Sequence, residues 1–290
     1  MDLATFLVQC LNAVQYGLLL FLVASGLTLI FGIMGVINLA HGSFYMIGAY
    51  LAFVLAPYFG DWFIARLAVG VLLAAAFGFV LEWAFFSFLY RREHLQQVLM
   101  TYALILVFEE ARSLLVGNDV HGVQAPPWLA GGFRLGELMS YPWYRVFASA
   151  ACIVVALGLY FVVKRTRLGM MIRAGASNRD MARGLGIDIR MLYRVVFAAG
   201  VALAALAGMI AAPLSSVYPG MGDSVLIICF VVVVIGGIGS ITGALIASLL
   251  VGFVDTFGKV FFAEYSGVGV YLLMAVVLVW RPEGLMKRAY

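Results

Sequence analysis

Two polar side chains stand where polarity is costly. Asn38 and His41 lie three residues apart inside Leu3–Gly60, a run of 58 residues with no Asp, Glu, Lys or Arg. An amide and an imidazole there must find partners within the protein, by bonding freed backbone groups or by lining a polar pathway. No second histidine lies within helical reach of His41, so a metal site is not expected. Four acids, Glu82, Glu109, Glu110 and Asp255, fall inside or near other apolar runs. A charge at the centre of a bilayer costs roughly 2.5–3.5 kcal/mol. The spacings Glu109–Arg112 (i,i+3) and Asp255–Lys259 (i,i+4) suit interfacial ion pairs, whereas Glu82 has no partner nearby in sequence. A proton relay would need more acids at mid-depth. Cys10, Cys152 and Cys229 lie in apolar runs and form no disulfide or metal pattern. The sequence contains no G-x-x-x-x-G-K-[ST], HExxH, CxxC or G-x-S-x-G. No catalytic residue is assigned, and the chain is not expected to be an enzyme.

The elements that must position these groups are membrane helices. Of 290 residues, 65% are hydrophobic and 11% charged, against about 45–50% and 25% in soluble domains. So few charged groups could not cover a soluble fold, and disordered chains are poor in apolar residues. The 58-residue run would make about 87 Å of helix, against a hydrocarbon core of roughly 30 Å. It therefore crosses about twice, as 6–32 and 38–56, joined through Gly32-Ile-Met-Gly35. Further spans are expected at about 63–89, 95–115, 143–163 and 191–213. The run Ser224–Val254 reads as a short helix, a glycine break, and a second helix to about 258, followed by a last span at 267–280. Whether 225–238 crosses or re-enters leaves eight or nine crossings. The fold class is an all-α polytopic membrane protein, a single domain over 1–290. The start MDLATFLVQC lacks the basic region of a signal peptide, and Gln9 argues against lipidation of Cys10.

The net charge is +4, and its distribution carries more than its size. Of 18 Lys and Arg residues, eight lie in Lys164–Arg194, two are Arg91 and Arg92, and three are Arg281, Lys287 and Arg288. The loop at about 116–142 holds one Arg against Asp119 and Glu137. The positive-inside rule puts the basic segments and the C-terminus in the cytoplasm, and 116–142 and the N-terminus outside. Nucleic acid is not an expected partner.

Within the basic loop at about 164–194, Ser177-Asn-Arg-Asp180 has the form of a capping box, with Ser177 as N-cap and Asp180 at N3. Gly184 and Gly186 offer stops, which predicts a two-turn helix from Asn178 to Leu185. Met181 and Leu185 share one face, Arg179 and Arg183 another. So short a helix is marginal alone and needs something to pack against. That is either anionic lipid or a cytoplasmic protein partner.

Two glycine clusters interrupt apolar runs, one in each half of the chain. The first places Gly32, Gly35 and Gly42 around Asn38 and His41. The second is Gly236-Gly237-Ile-Gly239-Ser240-Ile-Thr-Gly243. Paired breaks of this kind point to discontinuous helices beside a substrate path, with tight helix packing as the competing explanation for each glycine. The expected path residues are Asn38, His41, Gly42, Gly236, Gly237, Gly239 and Ser240.

Four motifs carry a resemblance. GLTLIFGIMGVINLAHGSFYMIGAYLA (26–52), TRLGMMIRAGASNRDMARGLGIDI (166–189), FVVVVIGGIGSITGALIASLLVG (230–252) and RPEGL (281–285) closely resemble, in order, the signatures of branched-chain amino acid ABC transporter permeases. They look like the shorter of that family's two permease types. The resemblance implies an importer in the bacterial inner membrane. Two permease subunits form its path, two cytoplasmic ATPases bind ATP and Mg, and a periplasmic binding protein delivers substrate. The second permease would be a related chain or a second copy. This chain would carry no cofactor. By matching position, Ala176, Ser177, Asn178, Asp180, Met181, Ala182, Leu185, Gly186 and Ile187 would dock into the ATPase, which favours the protein partner over lipid. Family members serve branched-chain amino acids, and others urea, short amides or carboxylates. The contrasting class is a stand-alone secondary transporter or channel, which would need no ATPase.

Overall fold

The computed structural model describes residues 2–90, 92–134 and 140–286. Arg91, Glu137, Lys287 and Arg288, which enter the charge count above, lie outside the described residues. The helices in chain order are α1 (Leu3–Met34), α2 (His41–Val54), α3 (Ala56–Phe59), α4 (Phe63–Leu81), α5 (Ser87–Leu89), α6 (His94–Val116) and α7 (Trp143–Arg165). There follow α8 (Arg167–Ser177), α9 (Arg179–Gly184), α10 (Ile189–Ala211), α11 (Met221–Gly236), α12 (Ile241–Phe261) and α13 (Ser266–Trp280). A π-helical turn, Glu82–Phe86, joins α4 to α5 without breaking the rod. Among the described residues five helices are long and apolar enough to cross a membrane, and α11 and the body of α13 are shorter apolar helices. Two short antiparallel strands, β1 (Gly132–Arg134) and β2 (Ser140–Pro142), pair in the loop expected outside the bilayer, and His121 in the same loop forms an isolated antiparallel bridge with Val217.

Burial separates the hub from the periphery. The most apolar stretch of α1 is 89% buried, whereas that of α7 is 17% buried. A helix apolar all round suits both positions, so hydrophobicity alone does not distinguish them. What makes α1 a hub is its small residues. A Cβ added at Gly17 would lie 2.9 Å from the carbonyl of Ser248, and one at Gly32 would lie 3.2 Å from Cα of Gly239. Helices α1 and α12 are therefore antiparallel and in close backbone contact, which glycine permits. Gly26 faces Gly200 on α10, and Gly78 of α4 faces Val201. Helix α10 thus lies between α1 and α4, antiparallel to both.

The first glycine break differs from a simple turn. Helix α1 ends where Gly35 adopts a left-handed conformation (φ 65°) and its N–H bonds to the Phe31 carbonyl. His41, at the start of α2, lies beside Val23, eleven residues back along α1. Residues 35–40 therefore retrace about 16 Å of α1. Val36, Asn38 and Ala40 are fully buried there, the condition under which irregular backbone is tolerated at membrane depth. The expected second span, 38–56, is thus an irregular return segment followed by a 14-residue helix.

Candidate transport path and coupling helix

The basic loop folds into two helices, of which the sequence reading anticipated one. Helix α8, capped by Thr166 accepting from the Gly169 N–H, occupies 167–177. Ser177 is its last residue, and Ala176 lies inside it. The predicted cap is therefore corrected by one position. Asn178 is the N-cap of α9, its Oδ1 accepting from the Met181 N–H at 2.9 Å. The reason is that α8 continues through Ser177, leaving Asn178 as the residue with extended backbone between the helices. Asp180 then falls one position early for a capping box and instead faces Arg183 at 4.0 Å across an exposed surface. The helix is six residues long rather than eight. Gly186 (φ 86°) closes it, with the Ile187 N–H bonding back to the Ala182 carbonyl. Ala182 is buried, while Met181 and Leu185 are 65% and 76% exposed. Two large apolar side chains thus project from a short helix, mostly uncovered by the described residues.

Arg179 and Arg183, four apart, have different fates. Arg183 points outward with Asp180. Arg179 turns inward and donates through Nη2 to the carbonyls of Ile33 (3.1 Å) and Met34 (2.8 Å). Tyr193 on α10 donates its hydroxyl to the Ile33 carbonyl at 3.4 Å. The last carbonyls of a helix lack intrahelical partners and carry its negative dipole end, so a guanidinium there is favoured twice over. Helix α9 is in this way fastened to the end of the most buried helix in the fold.

That same end abuts both glycine breaks. Asn38 follows it by four residues, fully buried, and neither side-chain polar atom has a partner among the described residues. His41 is also fully buried and donates Nε2–H to the Val23 carbonyl at 3.0 Å, a carbonyl being able only to accept. Gly42 lies against Gly222 at the start of α11. At the second break α11 ends on Gly236, which packs on Gly243, and Gly237 (φ 94°) and Gly239 (φ 85°) turn the chain. Ser240 then caps α12, its Oγ accepting from Gly243 N–H at 3.0 Å. Gly239 touches Gly32, so the two breaks expected from sequence are neighbours. One partner was missed. The Leu285 and Met286 N–H groups bond to the carbonyls of Ile235 (2.8 Å) and Gly236 (3.2 Å), so the C-terminal segment completes the end of α11. A side chain at Gly237 would meet the Glu283 carbonyl at 3.1 Å, so that glycine faces the tail.

The acids pair as their spacing predicts where the partner is local. Glu109 and Arg112 meet at 3.0 Å, and Asp255 and Lys259 at 2.6 Å. Arg112 also bonds the Gly117 carbonyl and Asn118, while Glu109 accepts from the Gly220 N–H, which knits two loops together. Glu82 finds distant partners, the Tyr90 hydroxyl and Arg194 on α10 at 3.4 Å. No group of three potential metal ligands occurs among the described residues.

These features define a helical membrane protein with a broken core and a short helix that projects from it. The family described as branched-chain amino acid transport system / permease component matches residues 9–278, and the chain belongs to it. It is 31% identical to the high-affinity branched-chain amino acid transport system permease protein BraD of Pseudomonas aeruginosa, over 98% of this chain and 96% of that one. It is 29% identical to LivH of the same description in Escherichia coli K12, over 98% and 96%. It is 26% identical to LivM of that organism, over 90% of this chain and 66% of that protein. No solved structure matches.

Proposed function

We propose that this chain is the membrane-spanning permease subunit of an ATP-driven importer for branched-chain amino acids. The observation that carries the mechanism is the fastening of α9 to the end of α1 through Arg179. Met181 and Leu185 seat in a cytoplasmic ATPase, which binds ATP and Mg and closes. The displacement passes through Arg179 to α1, and from its last turn to Asn38 on one side and Gly239 on the other. The helices then rock between outward-open and inward-open states, the broken segments moving against each other. ATP shifts this equilibrium because the ATPase dimer grips α9 differently in the two states.

The chain crosses nine times in this reading: α1, the segment 36–54, the α4–α5 rod, α6, α7, α10, α11, α12 and α13. The alternation of antiparallel neighbours supports it, as does the 16-residue α11, about 24 Å long, between the outer end of α10 and the inner end of α12. The N-terminus faces the periplasm and the basic loop and C-terminus the cytoplasm of an inner membrane. The partners are a second permease, two ATPases and a periplasmic binding protein. LivH and LivM of one organism share a system name and both resemble this chain, which supports a pair of unlike permeases.

The test is reconstitution with the partner subunits in liposomes, measuring leucine uptake with and without ATP. ATP-dependent uptake requiring the binding protein is the expected result. Uptake by the chain alone, without ATPase, would replace this reading with a secondary transporter. ATP-dependent uptake of urea or short amides but not leucine would keep the importer and change its cargo.

A further inference from the structure

A cleft of about 490 Å³ opens between α1, α7, α10 and α12, and none of the residues expected to line the path lies on its wall. It is walled by Asn12, Gln15, Tyr16, Arg145, Asp255 and Lys259, with Leu19, Val23 and Val225 deeper. By the antiparallel pairing of α1 with α12, these polar residues share the end of the bundle opposite α9. We infer that this cleft is a binding subsite for the zwitterionic head of an α-amino acid, its side chain lying along the apolar floor.

Arg145 is the anion side. Its Nη1 donates to Asn12 Oδ1 at 2.6 Å and reaches Gln15 Oε1 at 3.5 Å. Gln15 is only 5% exposed. Both partners are neutral, and among the described residues no carboxylate pairs with Arg145. A guanidinium held in place by amides keeps its charge for an incoming carboxylate, which it binds with two parallel hydrogen bonds.

Asp255 is the cation side. Its side chain is 10% exposed, whereas that of its partner Lys259 is 60% exposed and reaches across the Tyr16 ring at 5.5 Å. The carboxylate is buried in the wall and the ammonium is the exposed member of the pair. A ligand ammonium can take the place of Lys259 on Asp255 with no change in net charge. Asn12, which accepts from Arg145, and Tyr16, whose ring lies under Lys259, are four residues apart on α1, about 6 Å along the axis. Neutral amides use neither charge, and a simple carboxylate uses only Arg145.

The floor leads inward. Val23, which lines the cleft, is the residue whose carbonyl accepts from His41. The subsite therefore communicates with the first break through one peptide group.

This inference rests on the chain being an amino-acid permease, and the experiment separates the two. Leucine uptake by the wild-type assembled importer tests the permease reading. The subsite is tested by binding of radiolabelled L-leucine to the assembled importer without its binding protein. The competitors are L-leucinamide, which lacks the carboxylate, and 4-methylpentanoate, which lacks the ammonium. In the wild type each should compete at least tenfold more weakly than leucine. Arg145→Gln should weaken leucine at least tenfold and abolish the preference for leucine over leucinamide. Asp255→Asn should abolish the preference over 4-methylpentanoate. Wild-type affinity in both variants, or equal losses for all three compounds, overturns the inference. So does a wild-type importer that transports leucine but shows no preference among the three. Co-purification of the partner subunits checks that each variant assembles.

Discussion

The Arg179 guanidinium donates to the Met34 carbonyl at 2.8 Å across 145 residues of sequence. It is the polar fastening between α9 and the C-terminal end of α1. If force enters at α9, this bond lies on its route. Arg179→Ala should lower uptake per ATP hydrolysed several-fold, with the complex still assembled. A helix-end charge is worth about 0.3–1 kcal/mol and a charged hydrogen bond about 1.5–3 kcal/mol, so the loss should be large but short of unfolding. Arg179→Lys should restore part of the ratio, because an ammonium keeps the charge but not the fork. The measurement is parallel uptake and phosphate release in proteoliposomes. An unchanged ratio in the alanine variant would remove Arg179 from the route.

Docking is tested on exposed residues. Ala182 is buried, so charge there would disturb α9 itself. Met181 and Leu185 are exposed, and surface changes of this type usually shift stability by under about 0.5 kcal/mol. Met181→Asp with Leu185→Asp should abolish co-purification of the ATPase while leaving the thermal unfolding midpoint of the isolated permease unchanged. Retained ATPase binding would make α9 a lipid-facing helix.

Gly32 and Gly239 bring the two breaks into contact. Gly32→Leu must push them apart, since even a Cβ would lie 3.2 Å from Cα of Gly239. Overpacking of this kind costs about 1–3 kcal/mol. The expected outcome is a lowered unfolding temperature together with uptake below a tenth of wild type. Gly32→Ala, with only that Cβ, should keep substantial uptake.

Asn38 is fully buried with both amide atoms unpartnered among the described residues. An unsatisfied buried polar group costs about 1–3 kcal/mol. Asn38→Leu removes that cost and should hold or raise the unfolding temperature while reducing uptake. Stability and transport moving in opposite directions marks a group kept for function. If both fall together, Asn38 is a packing residue.

The Glu82–Arg194 pair should be structural. Glu82 is 1% exposed, and removing Arg194 leaves that carboxylate buried against Tyr90 alone. Breaking a buried pair costs about 3–5 kcal/mol. Arg194→Met should lower the unfolding temperature by more than Arg194→Met combined with Glu82→Gln does. Thermal unfolding in detergent reads both.

Membrane class, most helix positions and both glycine breaks were legible in the sequence because each is a local property. A charge-free run of 58 residues has few fates, and a Gly-Gly-x-Gly stretch strongly disfavours continuing a helix. The ion pairs Glu109–Arg112 and Asp255–Lys259 were legible for the same reason, being one turn apart. The capping error at Ser177 shows the limit of local reading. Ser177 and Asn178 are both good caps, and the choice fell to where α8 ended.

Tertiary structure decided everything that joins distant residues. The pattern that marks Arg179 as half of a basic stripe cannot say that it turns onto Met34, because Arg183 has the same local spacing and points to solvent. Hydropathy cannot separate α1 from α7, yet one is the hub and the other the rim. The cleft is the clearest case. Asn12, Arg145 and Asp255 stand in three separate spans and share no motif. Only the stacking of α1 against α7 and α12 brings a guanidinium and a carboxylate to one wall, where a low dielectric makes both signs matter.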